Sequence, residues 1–282
     1  MMAVVAEGNR GRIYITPDET QVITAQTTQP DNFPTGSVPE NPRWFSPPAF
    51  GMSEYADLFT NRQLTMLSTF CDLVGEAQKK AELDAIKAGL PNDHIQLEDG
   101  GMGATAYGQA IGVYLAFVID KMADYHSALC SWHLTGEKMQ HTYGRQALPM
   151  IWDYAECNPF CNASGCFDNM VAWVVKCTTE FPASSMGEAN QFDAQSNCGL
   201  TDIMVSTDPP YYDNIGYADL SDFFYIWMRR SLKETYHKLF STMLVPKTEE
   251  LIATPYRHNG STERAKEFFE DGMLIAMRQL YK

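Results

Sequence analysis

Four residues, Asp208-Pro209-Pro210-Tyr211, constrain this chain more than any others. They follow a short apolar run, Ile203-Met204-Val205, that reads as a buried strand over residues 202–206. Two successive prolines fix φ and remove two N–H donors, so no strand can continue through them. The chain must leave the expected strand in a stiff loop that presents backbone carbonyls.

A strand ending in Asp-Pro-Pro-Tyr resembles the catalytic loop of enzymes that methylate exocyclic amino groups of bases, and that resemblance implies a demanding reaction. The exocyclic amino nitrogen of adenine or cytosine is a poor nucleophile, because its lone pair is delocalised into the ring. Two acceptors on its two N–H groups favour the tetrahedral, positively charged form that attacks a methyl sulfonium. Asp208 offers a carboxylate and Pro209 a backbone carbonyl for these places, with Pro210 stiffening the turn. Tyr211 offers a flat face on which an extruded base can stack. Tyr212, Asn214 and Tyr217 follow closely enough to line a base pocket, and Asp213 to cap or brace the loop. No histidine base is needed, since the amino proton becomes acidic once the nitrogen is methylated.

Residues 208–230 read DPPYYDNIGYADLSDFFYIWMRR, which resembles the large prokaryotic adenine-specific DNA methylases with an N-terminal domain of unknown function. Residues 55–64, 103–117 and 144–160 look like the same family, so the resemblance covers most of 43–240. It implies an α/β fold: a helix-rich, Rossmann-like methyltransferase segment with an incomplete sheet. It further implies S-adenosylmethionine as cofactor and DNA as partner, with methyl transfer to adenine N6. Adenine over cytosine rests on the resemblance and on Asp at the first position of the motif. Planar amino groups of RNA bases or of protein glutamine remain alternative acceptors.

The family's cofactor loop, a glycine-rich turn after a first strand, has no clear counterpart. Gly100-Gly101-Met102-Gly103 is the nearest candidate, but no apolar strand precedes it, and it reads as a flexible helix start. The cofactor-binding residues are therefore unassigned. Family members are much longer, and another strand is expected after the amphipathic C-terminal helix at 264–282. The sequence reads as part of a longer methylase, completed by the remaining chain or a partner subunit. A non-catalytic docking module is the rival reading.

Net charge is −14, which argues against a surface that grips DNA everywhere. Residues 1–218 carry 11 Lys and Arg against 26 Asp and Glu, whereas residues 219–282 carry 10 against 9. The segment after the motif is thus the less DNA-repelling part, and Arg229, Arg230 and Lys233 there face either phosphates or solvent. Arg62 and Arg145 are candidates for substrate hydrogen bonds or for pairing with acidic neighbours. The longest apolar stretch, Ala110–Ile119, is too short to span a bilayer, and no signal peptide is evident. No membrane partner and a cytoplasmic home follow as expectations. Seven cysteines are odd in number and scattered, which suits free thiols. Cys157, Cys161 and Cys166 cluster, and Cys130 with His133 has C-x-x-H spacing, but the paired C-x-x-C units of a zinc site are missing, so no metal is expected.

Three regions are expected. Residues 1–52 hold a hairpin, Arg12–Ile15 with Gln21–Thr24, and a Pro/Gly-rich linker or extended arm. Residues 53–200 are mainly helical, with helices over 55–88 (a break possible at Gly75), 105–129, 146–155 and 169–178, an acidic loop at 91–103 and a polar loop over 182–199. Residues 201–282 hold the motif strand and the helices after it, the first capped by Asp219 or Ser221 and burying Phe223, Phe224, Trp227, Met228 and Leu232.

Overall fold

A computed structural model describes residues 1–41, 43–182 and 187–281. The chain is helix-rich, 45% helical, and of mixed α/β class. It forms two compact units. One comprises residues 1–180 and 223–244, the other residues 181–222 and 245–282.

The first unit opens on an antiparallel hairpin, β1 (Val4–Gly8) with β2 (Gly11–Ile15). A two-residue turn joins them, and Gly11 takes φ +150°, which side-chain-bearing residues rarely adopt. The expected second strand at 21–24 is instead helical: α1 spans Glu19–Thr27. Asp18 caps it, accepting from the Gln21 amide at 2.8 Å while the Gln21 side chain accepts from the Asp18 amide at 3.0 Å. This reciprocal capping box outweighs the β-branched residues that suggested a strand. Within the expected arm, Val38, Trp44 and Phe45 are buried, so residues 30–52 do not form a free linker.

A 3₁₀ turn at Tyr55–Leu58 precedes α2 (Asn61–Lys87), which starts at a second capping box, Thr60 with Gln63, and runs through Gly75 without a break. Helix α3 (Ala104–Tyr125) packs along it. Gly108 and Gly112 permit the close approach. A Cβ at Gly108 would lie 2.7 Å from the Gln78 carbonyl oxygen, and one at Gly112 would lie 2.8 Å from the Gln78 side-chain oxygen. The α3 helix stops four residues earlier than expected because its last carbonyls are taken. The Asp124 carbonyl accepts from the Thr142 amide at 2.7 Å and the Thr142 hydroxyl at 2.8 Å, and the Ala128 amide turns to the Leu58 carbonyl at 2.8 Å.

Residues 146–155, expected as a helix, are irregular. Pro149 has no N–H to give. The neighbouring backbone bonds elsewhere: the Leu148 amide donates to Trp44 O at 2.7 Å, and the Ala155 amide to Cys130 O at 2.8 Å. A short ribbon, β3 (Trp132–His133) with β4 (Lys138–Met139), and helix α4 (Phe167–Glu180) complete this stretch.

Helix α5 (Tyr217–Leu232) contributes its residues from Phe223 onward to the first unit. Phe223, Ile226, Trp227 and Leu232 are buried, joining Leu64, Leu67 and Val74 of α2 and Ile119 and Met122 of α3 in its core. Phe59 stacks on Phe223 at 5.4 Å and meets Trp227 edge-on at 5.3 Å. Each such buried side chain contributes about 1.5–3 kcal/mol. Arg230 pairs with Asp72 through two bonds, 3.0 and 2.8 Å, and Arg229 donates to the Thr242 carbonyl at 2.8 Å.

The second unit contains the first turns of α5 and helix α6 (Thr262–Tyr281). The expected motif strand is absent: residues 202–206 have no regular structure, and Met204 is 96% exposed, with Ile203 and Val205 also exposed. The β-pairing among the described residues consists of the two ribbons and two isolated bridges, so this apolar run has no neighbouring strand to complete its hydrogen bonds. The polar loop at 182–199 is irregular where described, with residues 183–186 outside the described residues.

Candidate active site

The motif loop is short and locally braced. The Tyr211 hydroxyl donates to Asp208 Oδ1 at 2.8 Å, folding the ring back over the turn. That bond to a carboxylate, with the carboxylate's charge, pushes the Tyr211 phenol above its ordinary pKa. The Asn214 amide closes a turn on the Tyr211 carbonyl at 3.0 Å. Tyr212 sits at φ +56°, a left-handed conformation costing about 1 kcal/mol or more for a side-chain-bearing residue. Its neighbours hold it there. The Tyr212 carbonyl accepts from the Ala253 amide at 3.0 Å, and its ring meets Phe269 of α6 edge-on at 5.2 Å.

A second layer of contacts fixes the chain that follows. Asp219 and Asp222, three residues apart on α5, are both buried. Instead of capping the helix, the Asp219 carboxylate accepts from Arg257 Nη2 at 2.9 Å and from the Tyr256 hydroxyl. Arg257 also pairs with Glu250 at 2.8 Å and donates to the Lys247 carbonyl at 3.0 Å. Glu250 Oε1 accepts the Ala218 amide at 2.9 Å, so a residue distant in sequence satisfies an N–H of the first turn of α5. Ser221, the other expected cap, donates to the Tyr217 carbonyl at 2.7 Å. Asp222 Oδ1 accepts from the Val245 amide at 2.7 Å, and Oδ2 pairs with Lys247 Nζ at 2.6 Å.

Burial raises the Asp222 carboxyl above the ordinary carboxylate range, and Lys247 opposes that shift. Burial and the bond to Asp219 raise the Tyr256 phenol. For Arg257, burial works against its charge, but the bond to Tyr256 and the Asp219 carboxylate outweigh it and hold the guanidinium ionised. The network clamps residues 245–258 to the start of α5. Its signal in the sequence was two acids, Asp219 and Asp222, in register with the apolar positions Phe223 and Ile226.

Asp208, Pro209 and Pro210 line a cleft of about 1150 Å³ within the second unit. Its apolar wall includes Phe192, Leu200, Met273 and Met277, and its acidic groups are Asp193, Asp208, Glu249 and Glu250. No Lys or Arg is among the described residues lining it. The cleft therefore favours a cationic, partly apolar ligand and disfavours a phosphate. Tyr211, Tyr212, Asn214 and Tyr217 are not among its lining residues; their rings or backbones brace the loop or stand exposed beside it.

The other sequence candidates lie elsewhere. Arg62 pairs with Glu156 at 2.5 Å in the first unit. Gly100–Gly103 forms the entry to α3, with Gly103 at its N-cap. A Cβ at Gly101 would collide with the Ile95 carbonyl oxygen, so that glycine serves close packing of the loop on itself. Among the described residues, no group of three or more His, Cys, Asp or Glu is placed to hold a metal ion, and no helix is long and apolar enough to cross a membrane. No protein-family model, curated protein or solved structure matches this chain.

Proposed function

We propose that residues 208–211 form the catalytic loop of an S-adenosylmethionine-dependent methyltransferase acting on the N6 amino group of adenine in DNA. The observation that carries this reading is the Asp-Pro-Pro-Tyr turn, whose Asp208, Pro209 and Pro210 line a cleft that holds carboxylates and no Lys or Arg among its described residues. Asp208 accepts one N–H of the target amino group and the Pro209 carbonyl the other. Together they favour the nucleophilic form of the nitrogen and the charge it develops. The Tyr211 hydroxyl holds Asp208 Oδ1 in this structure, so exchange of that donor for the substrate N–H is close to neutral in hydrogen bonding. Once released, the Tyr211 ring is available to stack on the extruded base.

The cleft fits the cofactor in character. Asp193 and Glu249 suit its positive charge, and Phe192 and Met277 its nucleoside. When bound, the cofactor supplies an electrophilic methyl group. In the same reading a Rossmann-like sheet forms around this loop when residues 202–206, irregular here, pair with strands of a partner chain.

A second reading is a docking module that acquires its cofactor site from a partner chain or from the remainder of a longer methylase. The exposed apolar run Ile203–Val205 favours it, since a strand partner would cover that run. One assay addresses both. Transfer of labelled methyl groups to unmodified DNA, RNA and protein is measured with the wild-type chain and with Asp208→Ala. Adenine-specific incorporation into DNA, lost in Asp208→Ala, is expected. Undiminished activity of Asp208→Ala sinks the assignment, and inactivity of both proteins favours the docking module.

A further inference from the structure

We propose that Cys157 and Cys161 form a redox modification site, a dithiol that hydrogen peroxide converts to an intramolecular disulfide. The two Sγ atoms lie 3.9 Å apart, and both residues are partly exposed. The fold, not merely the short spacing, brings them together. The Cys161 amide closes a turn on the Asn158 carbonyl at 3.2 Å, and the Phe167 amide ties back to the Pro159 carbonyl at 2.8 Å. Gly165, at φ +92°, lets the loop press on α3, where a Cβ would lie 3.1 Å from Cys157 Sγ and 3.2 Å from Tyr125 Cβ. Its carbonyl bonds His126 Nε2 at 2.8 Å.

Closing the pair to the bonded S–S distance of about 2.05 Å needs a movement of about 2 Å, within the reach of side-chain rotation. One thiolate attacks peroxide, breaking the O–O bond and giving a sulfenic acid and hydroxide, which takes up the proton that thiol had released and becomes water. The second thiol displaces the sulfenic oxygen, which leaves as water with that thiol's proton, and the S–S bond forms. Two thiols and one peroxide thus yield one disulfide and two waters. Burial, reinforced by the adjacent Cys161, pushes the Cys157 thiol up, so Cys161 is the residue that attacks peroxide and Cys157 the one that resolves its sulfenic acid.

The test uses the full chain, reduced, desalted and treated with one equivalent of hydrogen peroxide at mildly alkaline pH. Remaining thiols are blocked with N-ethylmaleimide and mapped by peptide mass spectrometry. The expected product has lost two hydrogens between Cys157 and Cys161, with neither residue labelled, while the exposed Cys177 and Cys198 are labelled. Dithiothreitol restores labelling of both. In urea the same treatment is expected to scatter disulfides among the seven cysteines. In Cys157→Ser, Cys161 should stop at a sulfenic acid that dimedone traps. Full labelling of Cys157 and Cys161 after peroxide, or the same distribution of disulfides in native and urea-treated protein, overturns the proposal.

Discussion

Arg257→Ala tests the clamp behind the motif loop most sharply. Arg257 and its two carboxylate partners are largely withdrawn from water, with 12% of the arginine side chain exposed and 0% of Asp219. Removing the guanidinium leaves the Asp219 charge buried with its ion pair gone and frees Glu250, which also accepts the Ala218 amide. Loss of one partner of such a buried pair costs about 3–5 kcal/mol, well above the ~1 kcal/mol ceiling typical of exposed pairs. At about 1.4 kcal/mol per factor of ten, amide exchange governed by opening of this unit should quicken on the order of a hundred to a few thousand fold. The Ala218 and Val245 amides are the probes, followed by hydrogen–deuterium exchange in wild type, Arg257→Ala, Asp219→Asn and the double variant. In the Asp219→Asn background Glu250 is the one carboxylate that loses Arg257, and it keeps the Ala218 amide and some contact with water, so the further loss of Arg257 should cost less, about 1–2 kcal/mol. A tenfold or smaller change in Arg257→Ala, or equal costs in both backgrounds, refutes the reasoning.

Three further outcomes are expected. Phe223→Ala, which removes a fully buried ring stacked on Phe59, should destabilise the first unit by about 3–5 kcal/mol. All five tryptophans lie in that unit, so a lowered urea midpoint in tryptophan fluorescence reads the loss directly. Burial raises the Asp120 carboxyl well above the ordinary value of 3.8, and among the described residues its Oδ1 has no hydrogen-bond partner. The folded state then binds this proton more tightly than the unfolded state, so the protonated carboxyl's stabilising contribution is complete below the unfolded pKa. It is lost as pH rises through the folded value. Asp120→Asn should therefore flatten the fall in stability with rising pH, measured by urea titration across that range, and should leave the protein more stable than wild type at neutral pH. Asp208→Ala should change stability by no more than about 0.5 kcal/mol in the same titration, because an exposed carboxylate loses a single bond to Tyr211.

Long amphipathic segments were legible in the sequence because their apolar spacing and burial agree. The α2 and α3 helices and the buried face of α5 are the clearest cases. What was misread depended on partners far along the chain. Gln21 looked like part of a strand until paired with Asp18. The helix expected over 146–155 gave way because Trp44 and Cys130 accept its amides. Ile203-Met204-Val205 has a strand's composition, but composition does not supply the neighbouring strand that a buried position requires. At the site, the motif residues were visible as a run of letters, whereas of the clamp only the two acids on the apolar side of α5 were. Arg257 and Asp219 are far apart in sequence, and only folding shows that they share one buried charge network.

The central claim is that the cleft beside Asp208 holds S-adenosylmethionine. Isothermal titration calorimetry of the purified 282-residue chain with that cofactor is the direct measurement, repeated with the double variant Asp193→Ala, Glu249→Ala. Saturable binding at micromolar cofactor, weakened tenfold or more in the double variant, is expected. Absence of saturable heat up to millimolar cofactor, or binding that the double variant leaves unchanged, contradicts the account.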